Sequence, residues 1–224
     1  MLETIKGNLI VSVQALENEP LHDPKIMAKM ALAAKLGGAV AIRSNSVEDI
    51  CAIREEVDLP IIGLYKKEYK DSDVHITPTK KEVLALITSG CDMIALDATK
   101  RKRPNGESLS HLVDFIHQHD RLAMADISTL EEAIHAEKLG FDCVSTTLSG
   151  YTPYSPQIDT PDYDLIESCV DQLSIPVIAE GRISEVSQLR RVLSYSPHAV
   201  VIGSAITRPR LITEKFVRVF KEMT

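Results

Sequence analysis

The sequence contains no tryptophan, and its aromatic residues are limited to four phenylalanines and six tyrosines among 224 residues. It is also acidic overall, with 32 aspartates and glutamates against 25 lysines and arginines. A chain with few stacking side chains and a net negative charge is poorly suited to binding nucleic acid. We therefore expect no nucleic-acid partner.

The four cysteines are widely spaced, and no two of them form a C-x-x-C pair. This spacing favours reduced thiols in or near the core over a disulfide framework. The sequence also lacks any apolar run close to the roughly 20 residues that a membrane helix needs. Its N-terminus has no basic stretch leading into an apolar segment. We expect a cytoplasmic protein with no membrane partner.

What the sequence does contain is a regular alternation of short apolar runs and segments with helical periodicity. The predicted strands are Leu9–Gln14, Ala39–Arg43, Pro60–Lys66, Met93–Asp97, Leu122–Asp126, Cys143–Thr147, Val177–Glu180 and Ala199–Gly203. Eight such units in roughly 200 to 250 residues, with continuously apolar strands, are typical of a closed parallel barrel. An open doubly wound sheet would favour a G-x-G-x-x-G turn after the first strand, and this turn is absent. We predict an α/β protein with a (β/α)8 TIM barrel that forms one domain over residues 1–224.

Capping signals support the predicted helices between these strands. N-terminal caps are predicted at Asp23-Pro24, Ser46 with Asp49, Thr79 with Glu82, Ser128 with Glu131, and Thr160-Pro161. Left-handed C-terminal caps are predicted at Gly37, Gly90 and Gly140.

Polar residues or glycine turns stand at the end of every predicted strand. They are Gln14, Arg43, Lys66, Asp97, Asp126, Thr147, Glu180 and the Gly203-Ser204 turn. In a TIM barrel the carboxyl ends of the strands form the active site. A structural salt bridge could explain any one charged residue, but so many at one mouth indicate a functional site. Strand alternation directs one of Lys66 and Lys67 into the mouth, and the sequence does not say which.

The last two predicted strands carry a second pattern, which favours phosphate binding. Glycine turns follow both strands, at Gly181 and at Gly203-Ser204. In this fold the loops after strands seven and eight commonly bind phosphate through backbone N–H groups. Arg182 or Arg208 would add charge-assisted hydrogen bonds.

Three further features bear on function. No predicted strand ends in histidine, and only His22 and His75 lie in loops that could reach the mouth, so we expect no metal site. The basic run from Lys100 to Arg103 is interpreted as a solvated face. The loop from Ser149 to Thr160 is either a lid or a stiff connector.

Taken together, these residues resemble the bacterial N-acetylmannosamine-6-phosphate 2-epimerases of sialic acid catabolism along essentially the whole chain. The matching segments are VSVQAL at 11–16, GAVAIR at 38–43, PIIGLYK at 60–66, IALDAT at 94–99, MADI at 124–127, TTLSGYT at 146–152, IAEG at 178–181 and GSAITRP at 203–209.

The resemblance implies a barrel that interconverts N-acetylmannosamine 6-phosphate and N-acetylglucosamine 6-phosphate at C2 without a metal or organic cofactor. It implies that Lys66 and Glu180 are the reactive pair, and that Gln14, Arg43 and Asp126 contact the sugar and its acetamido group. The two glycine turns would bind the phosphate. The sequence leaves the oligomeric state open, and a homodimer is the assembly to be tested.

Several alternatives remain open at this point. Glu180 could be the acid on the opposite face of C2, or Lys66 could serve both faces while Glu180 orients the acetamide. A metal-dependent pentose phosphate 3-epimerase, or an isomerase of histidine or tryptophan synthesis, would use a similar barrel. A phosphosugar sensor without catalysis would keep Arg43 and the glycine turns but would not need Lys66 or Glu180.

Overall fold

Eight parallel strands form the centre of the structure, a computed structural model that describes residues 1–222. The strands are β1 (Leu9–Val13), β2 (Ala41–Asn45), β3 (Ile61–Leu64), β4 (Met93–Asp97), β5 (Leu122–Asp126), β6 (Cys143–Ser145), β7 (Val177–Glu180) and β8 (Ala199–Ile202). They pair in sequence order, and β1 also pairs with β8, so that the sheet closes. The predicted (β/α)8 barrel is confirmed.

Helices alternate with the strands and surround the barrel. They are α1 (Leu2–Ile5), α2 (Pro24–Leu36), α3 (Val47–Glu56), α4 (Lys80–Ser89), α5 (Leu109–His117), α6 (Leu130–Lys138), α7 (Tyr163–Gln172), α8 (Val186–Ser194), α9 (Ser204–Thr207) and α10 (Pro209–Glu222). Two 3₁₀ turns, Pro104–Gly106 and Thr146–Leu148, lie in the loops after β4 and β6. None of the helices in residues 1–222 is both long enough and apolar enough to span a bilayer.

The predicted strand ends were correct to within a few residues. The observed strands β3 and β6 end before the polar residues that were predicted to end them. Strand β3 ends at Leu64, so Lys66 lies beyond the ladder, where it makes an isolated antiparallel bridge with Ile76. Strand β6 ends at Ser145 because the next three residues turn into a 3₁₀ helix. The barrel therefore presents these polar residues from its rim.

The capping predictions were correct at Asp23, Ser46 and Thr79, whose side chains accept the expected backbone hydrogen bonds. Two were displaced along the chain. Helix α6 is capped by Thr129 with Glu132 instead of Ser128 with Glu131, and α7 is capped by Asp162 instead of Thr160. In both helices the observed cap is the residue whose side chain reaches the N–H three positions ahead.

The C-terminal glycines followed the predicted geometry at two of three positions. Gly90 and Gly140 have left-handed backbone, with φ of 76° and 85°. Gly37 was predicted wrongly, because it stays right-handed at φ −76° and the left-handed residue is the following Gly38. The turn at this junction is thus made one residue later.

The core has two layers separated by the strands. Side chains such as Ile10, Ile62 and Ile178 fill the barrel interior, while others pack between the strands and the helices. Because strand side chains alternate, Ala41 points into the barrel and so does Arg43 two residues later. The charged residues at the strand ends are therefore the uppermost layer of the barrel interior.

The basic run after β4 differs from its sequence interpretation. Arg103 is 6% exposed, and its guanidinium donates to the backbone carbonyls of Thr77, Pro78 and Asp97. Burial lowers the pKa of Arg103 to about 10, although the negative charge of Asp97 acts to raise it. The prediction of a solvated face was therefore wrong at this position, since three carbonyls replace the water around the cation.

Candidate active site

A cavity of about 590 Å³ opens at the carboxyl ends of the strands. Its wall contains nine of the ten residues predicted to form the site. They are Gln14, Arg43, Lys66, Glu180, Gly181, Arg182, Gly203, Ser204 and Arg208. The tenth, Asp126, is fully buried and lies directly against Arg43.

Arg43 and Asp126 form a bidentate ion pair at the top of the barrel interior. The two guanidinium nitrogens lie 2.9 and 2.6 Å from the two carboxylate oxygens, and both side chains are at most 1% exposed. Burial alone would lower the pKa of Arg43, but the charges of Asp126 and Glu180 outweigh it and raise the pKa. Asp126 therefore holds Arg43 charged and in place.

Glu180 is the second carboxylate beside Arg43. Its Oε2 lies 2.9 Å from Arg43 Nη1, and it accepts hydrogen bonds from Thr147 at 2.9 Å and Ser145 at 3.3 Å. Desolvation raises the pKa of Glu180, and the charge of Asp126 adds to this effect while Arg43 opposes it. The carboxyl group is thus able to exchange a proton closer to neutral pH than an exposed glutamate.

Lys66 enters the cavity, whereas Lys67 does not contribute to its wall. The Lys66 backbone N–H donates to Asn45 Oδ1 at 2.8 Å, which fixes the chain just beyond β3. Its ammonium has no hydrogen bond or ion pair with any residue that the structure describes. Desolvation at the barrel mouth lowers the pKa of Lys66, and the positive charge of Arg43 lowers it further. Both effects favour a neutral amine facing the water of the cavity.

Gln14 presents an unsatisfied acceptor to the site. Its Nε2 donates to Ser12 Oγ at 2.7 Å, and its buried Oε1 has no partner within residues 1–222. A buried acceptor without a donor is costly, so a bound ligand with an N–H or O–H group would stabilise it.

The two glycine turns border the same cavity. Gly181 has φ of 117°, which side-chain-bearing residues rarely adopt. Gly203 precedes α9, and a Cβ at Gly203 would lie 3.1 Å from Ser12 Cβ. In α9 the N–H groups of Ile206 and Thr207 donate to the Gly203 carbonyl, whereas those of Ser204 and Ala205, at the start of the helix, have no acceptor inside it. These turns present backbone donors to the cavity.

Each of the two predicted phosphate-binding arginines has a protein partner. Arg182 donates to the carbonyls of Ser149 and Gly150, and its guanidinium stacks 4.6 Å from the centre of the Tyr151 ring. Arg208 pairs with Glu19 through two contacts of 2.9 and 2.6 Å. Arg182 therefore anchors the loop after β6, and Arg208 links the loops after β1 and β8.

The loop after β6 has the contacts of a stiff connector. Glu132, which is 4% exposed, accepts hydrogen bonds from Ser128 and from the Tyr154 hydroxyl at 2.7 Å. Thr152 donates to Ser128 Oγ at 3.0 Å. These buried bonds, together with the two from Arg182, hold residues 149–155 against the rim.

Sequence reasoning missed several residues that support the site. Ser145 contacts Glu180, Ser12 contacts Gln14, and Glu19 pairs with Arg208. Ser12 and Ser145 precede a strand-end residue by two positions, so alternation along β1 and β6 could have identified them. Glu19 could not be found in this way, because it approaches from a loop.

The histidines are not gathered at the mouth. His75 lies in the cavity wall, whereas His22 contacts the Ala15 carbonyl at 3.2 Å. In the described part of the chain, no group of three or more histidine, cysteine, aspartate or glutamate side chains could hold a metal ion. The three carboxylates in the cavity wall pair with arginines: Glu19 with Arg208, Asp97 with Arg101, and Glu180 with Arg43.

Comparison with known proteins places the chain among sugar-phosphate epimerases. The family described as "Putative N-acetylmannosamine-6-phosphate epimerase" matches residues 27–222. A Clostridium perfringens protein named "Putative N-acetylmannosamine-6-phosphate 2-epimerase" is 59% identical over 99% of this chain and 100% of its own length. A Clostridioides difficile protein of the same name is 58% identical over 97% of this chain and 98% of its own length.

Solved structures agree with this result. The structure of the N-acetylmannosamine-6-phosphate 2-epimerase from Clostridium perfringens has a TM-score of 0.96 and 59% identity, covering 97% of this chain and 95% of its own. The thiamine phosphate pyrophosphorylase from Pyrococcus furiosus, at 18% identity over 91% of this chain and 88% of its own, has a TM-score of 0.61 and shares the fold alone. The family match and the full-length identity show that the chain belongs to the N-acetylmannosamine-6-phosphate epimerase family.

Proposed function

We propose that this protein is an isomerase that interconverts N-acetylmannosamine 6-phosphate and N-acetylglucosamine 6-phosphate, as part of sialic acid and amino sugar catabolism. The observation that carries the proposal is the placement of Lys66 and Glu180 in one cavity, with environments that shift their pKa values toward each other. Two proton-exchanging groups in one cavity can invert a carbon centre, because one removes the proton and the other supplies a proton to the opposite face.

The chemistry begins with opening of the sugar ring to its aldehyde. The adjacent carbonyl makes the C2 proton acidic, because the electrons left by its removal spread onto oxygen as an enolate. The proposed base is Lys66, whose lowered pKa supplies a neutral amine. Arg43 is charged and lies beside the reactive groups, where it would stabilise negative charge developing on the substrate. The acidity of C2 comes from the substrate's own carbonyl, so the steps need no cofactor.

Inversion then requires a proton from the opposite face of C2. The proposed donor is Glu180, since burial and the charge of Asp126 raise its pKa and let it carry a proton. In the reverse reaction the ionised Glu180 would take the proton, and the ammonium of Lys66 would return one. Gln14 Oε1 is the proposed acceptor for the acetamido N–H, which would satisfy its missing hydrogen bond.

The phosphate would bind between the turns at Gly181 and Gly203. Backbone donors of Gly203 and Ser204 would contact its oxygens, and Arg208 would add positive charge. Arg208 already binds a carboxylate, Glu19, so its guanidinium is oriented for anionic oxygens. Arg182 would contribute mainly through the loop that it anchors. These cations concentrate positive potential at the mouth of a protein whose net charge is −7.

The test is NMR of N-acetylmannosamine 6-phosphate with the protein in deuterated water. We expect the gluco epimer to appear with deuterium at C2, because the removed proton exchanges with solvent before a proton returns. Binding without exchange would point to a sensor, and loss of activity on chelation would point to a metal-dependent epimerase. Either outcome would overturn the proposal.

A homodimer is proposed for the assembly. No residue of α10 is buried, and Phe216 and Val219 are 67% and 52% exposed. Lys215 of the same helix pairs with Glu185, the sequence neighbour of Val186, which is 68% exposed. Apolar side chains in this number on one side of the barrel favour a protein interface. Light scattering should give twice the chain mass. Phe216→Glu should produce monomers, whereas Leu36→Glu, at an exposed residue on α2, should not; a monomeric wild type would refute the proposal.

A further inference from the structure

The Thr147 hydroxyl lies between two carboxylates. Its Oγ1 is 2.9 Å from Asp126 Oδ1 and 2.9 Å from Glu180 Oε2. A threonine hydroxyl carries a single proton, so it donates to only one of these oxygens at a time. The other carboxylate must then accept hydrogen bonds from other donors or be neutral.

Neighbouring groups allow the Thr147 proton to point toward either Asp126 or Glu180. Ser145 Oγ lies 2.8 Å from Thr147 Oγ1 and 3.3 Å from Glu180 Oε2, so its single proton can go to either of them. Asp126 keeps its two bonds from Arg43 when Thr147 turns to Glu180. When Thr147 turns to Asp126, Glu180 loses its nearest hydroxyl donor, an arrangement that suits a neutral carboxyl group.

We propose that Thr147 is a positioning residue that allows Glu180 to change its charge without moving, by donating to Glu180 when that group is ionised and to Asp126 when Glu180 carries the proton. This inference rests on the proposed function, in which Glu180 gains and loses a proton in each cycle. The change involves rotation of a hydroxyl hydrogen and no displacement of heavier atoms. Glu180 would thus keep its distance from C2 in both charge states.

The charged groups around Glu180 do not offer this adjustment. Arg43 reaches Glu180 from β2, Asp126 from β5, and Lys66 acts on it from beyond β3. Arg43 stays bound to Asp126 at both of its terminal nitrogens. The hydroxyls of Ser145 and Thr147 can both rotate, but Thr147, in the 3₁₀ turn after β6, is the one of the two that contacts both carboxylates.

Thr147→Val tests the proposal, because valine has nearly the same shape and no hydroxyl. Because Asp126 keeps its two bonds from Arg43, loss of the hydroxyl disfavours the ionised form of Glu180 more than the neutral form and should raise the pKa of Glu180 by about one unit. The measurement is ¹³C NMR titration of protein labelled at the glutamate carboxyl carbons, with Glu180→Gln used to assign the signal. Thr147→Ser restores the hydroxyl and should return the midpoint toward that of the wild type. The limb of the pH profile of kcat/KM that belongs to Glu180 should move in the same direction.

Thr146→Val is the matched structural control. The Thr146 hydroxyl bonds to the backbone N–H and carbonyl of Glu180 and has no contact with either carboxylate. Thr146→Val should leave the titration midpoint of Glu180 unchanged, even if the variant protein is less stable than the wild type. An unchanged midpoint in Thr147→Val, or an equal shift in Thr146→Val, would overturn the inference. The titration decides this independently of C2 exchange in the wild type, which decides the proposed function.

Discussion

The ion pair between Arg43 and Asp126 allows a quantitative prediction. Asp126→Asn keeps the volume of the side chain but removes its charge and turns one acceptor into a donor facing Arg43. Breaking a buried pair costs about 3–5 kcal/mol, because the remaining charge is left without its partner. Arg43 retains a second carboxylate, Glu180, with Oε2 at 2.9 Å. We therefore expect the lower end of the range, a loss of about 3 kcal/mol in the free energy of unfolding.

Urea unfolding followed by circular dichroism measures this loss. In a protein of this size the melting temperature should fall by about 6–12 °C. The double variant Arg43→Met/Asp126→Leu is the control, since it removes both charges of the pair, and Glu180, which loses Arg43 as its partner, can become neutral by binding a proton. Its stability should lie much closer to that of the wild type. The reasoning would be refuted if Asp126→Asn lost less than about 1 kcal/mol, or if the double variant were as unstable as the single one.

Three further predictions concern activity. Lys66→Ala should abolish deuterium incorporation at C2, while calorimetry should still detect binding of the phosphorylated sugar. Lys66→Arg keeps the charge but not a titratable amine, so it should be equally inactive. Substantial turnover in either variant would contradict the role of Lys66 as the base. Arg208→Ala should raise KM more than tenfold with a smaller effect on kcat, and an unchanged KM would remove Arg208 from the phosphate site. Arg182→Ala should mainly lower the melting temperature. In the direction of reaction that uses Lys66 as the base, kcat/KM should rise with pH as the amine loses its proton. The midpoint of this rise should lie below 10.5, the ordinary pKa of lysine. A midpoint at or above 10.5 would show that the barrel mouth does not disfavour the ammonium.

Much of the barrel was predictable because it follows from local patterns. The continuous apolar strands and the cap at Thr79 act over a few neighbouring residues, so their outcome is contained in the sequence around them. The closure of the barrel places every strand end at one mouth. Residues as distant as Gln14 and Glu180 could therefore be assigned to one cavity before any distance was known.

The errors in the prediction arose where a residue's environment comes from distant parts of the chain. Arg103 looked like part of a solvated basic run, but carbonyls from residues 77, 78 and 97 surround its guanidinium. Asp126 depends on distant residues in the same way: its two oxygens are bound to Arg43 from β2, and its expected contact with the sugar stays a prediction. Neither partner is close in sequence.

The sequence by itself thus determined the barrel, the rim on which the site lies and the chemical types available there, because periodicity and strand-end position are local properties. Only the tertiary structure decided that Lys66 and not Lys67 enters the cavity, that Arg182 holds a loop while Arg208 holds Glu19, and that Thr147 stands between two carboxylates. Hydrogen-bond partners and desolvation depend on which strands and loops meet in space. The proton affinities proposed for catalysis are set by these contacts.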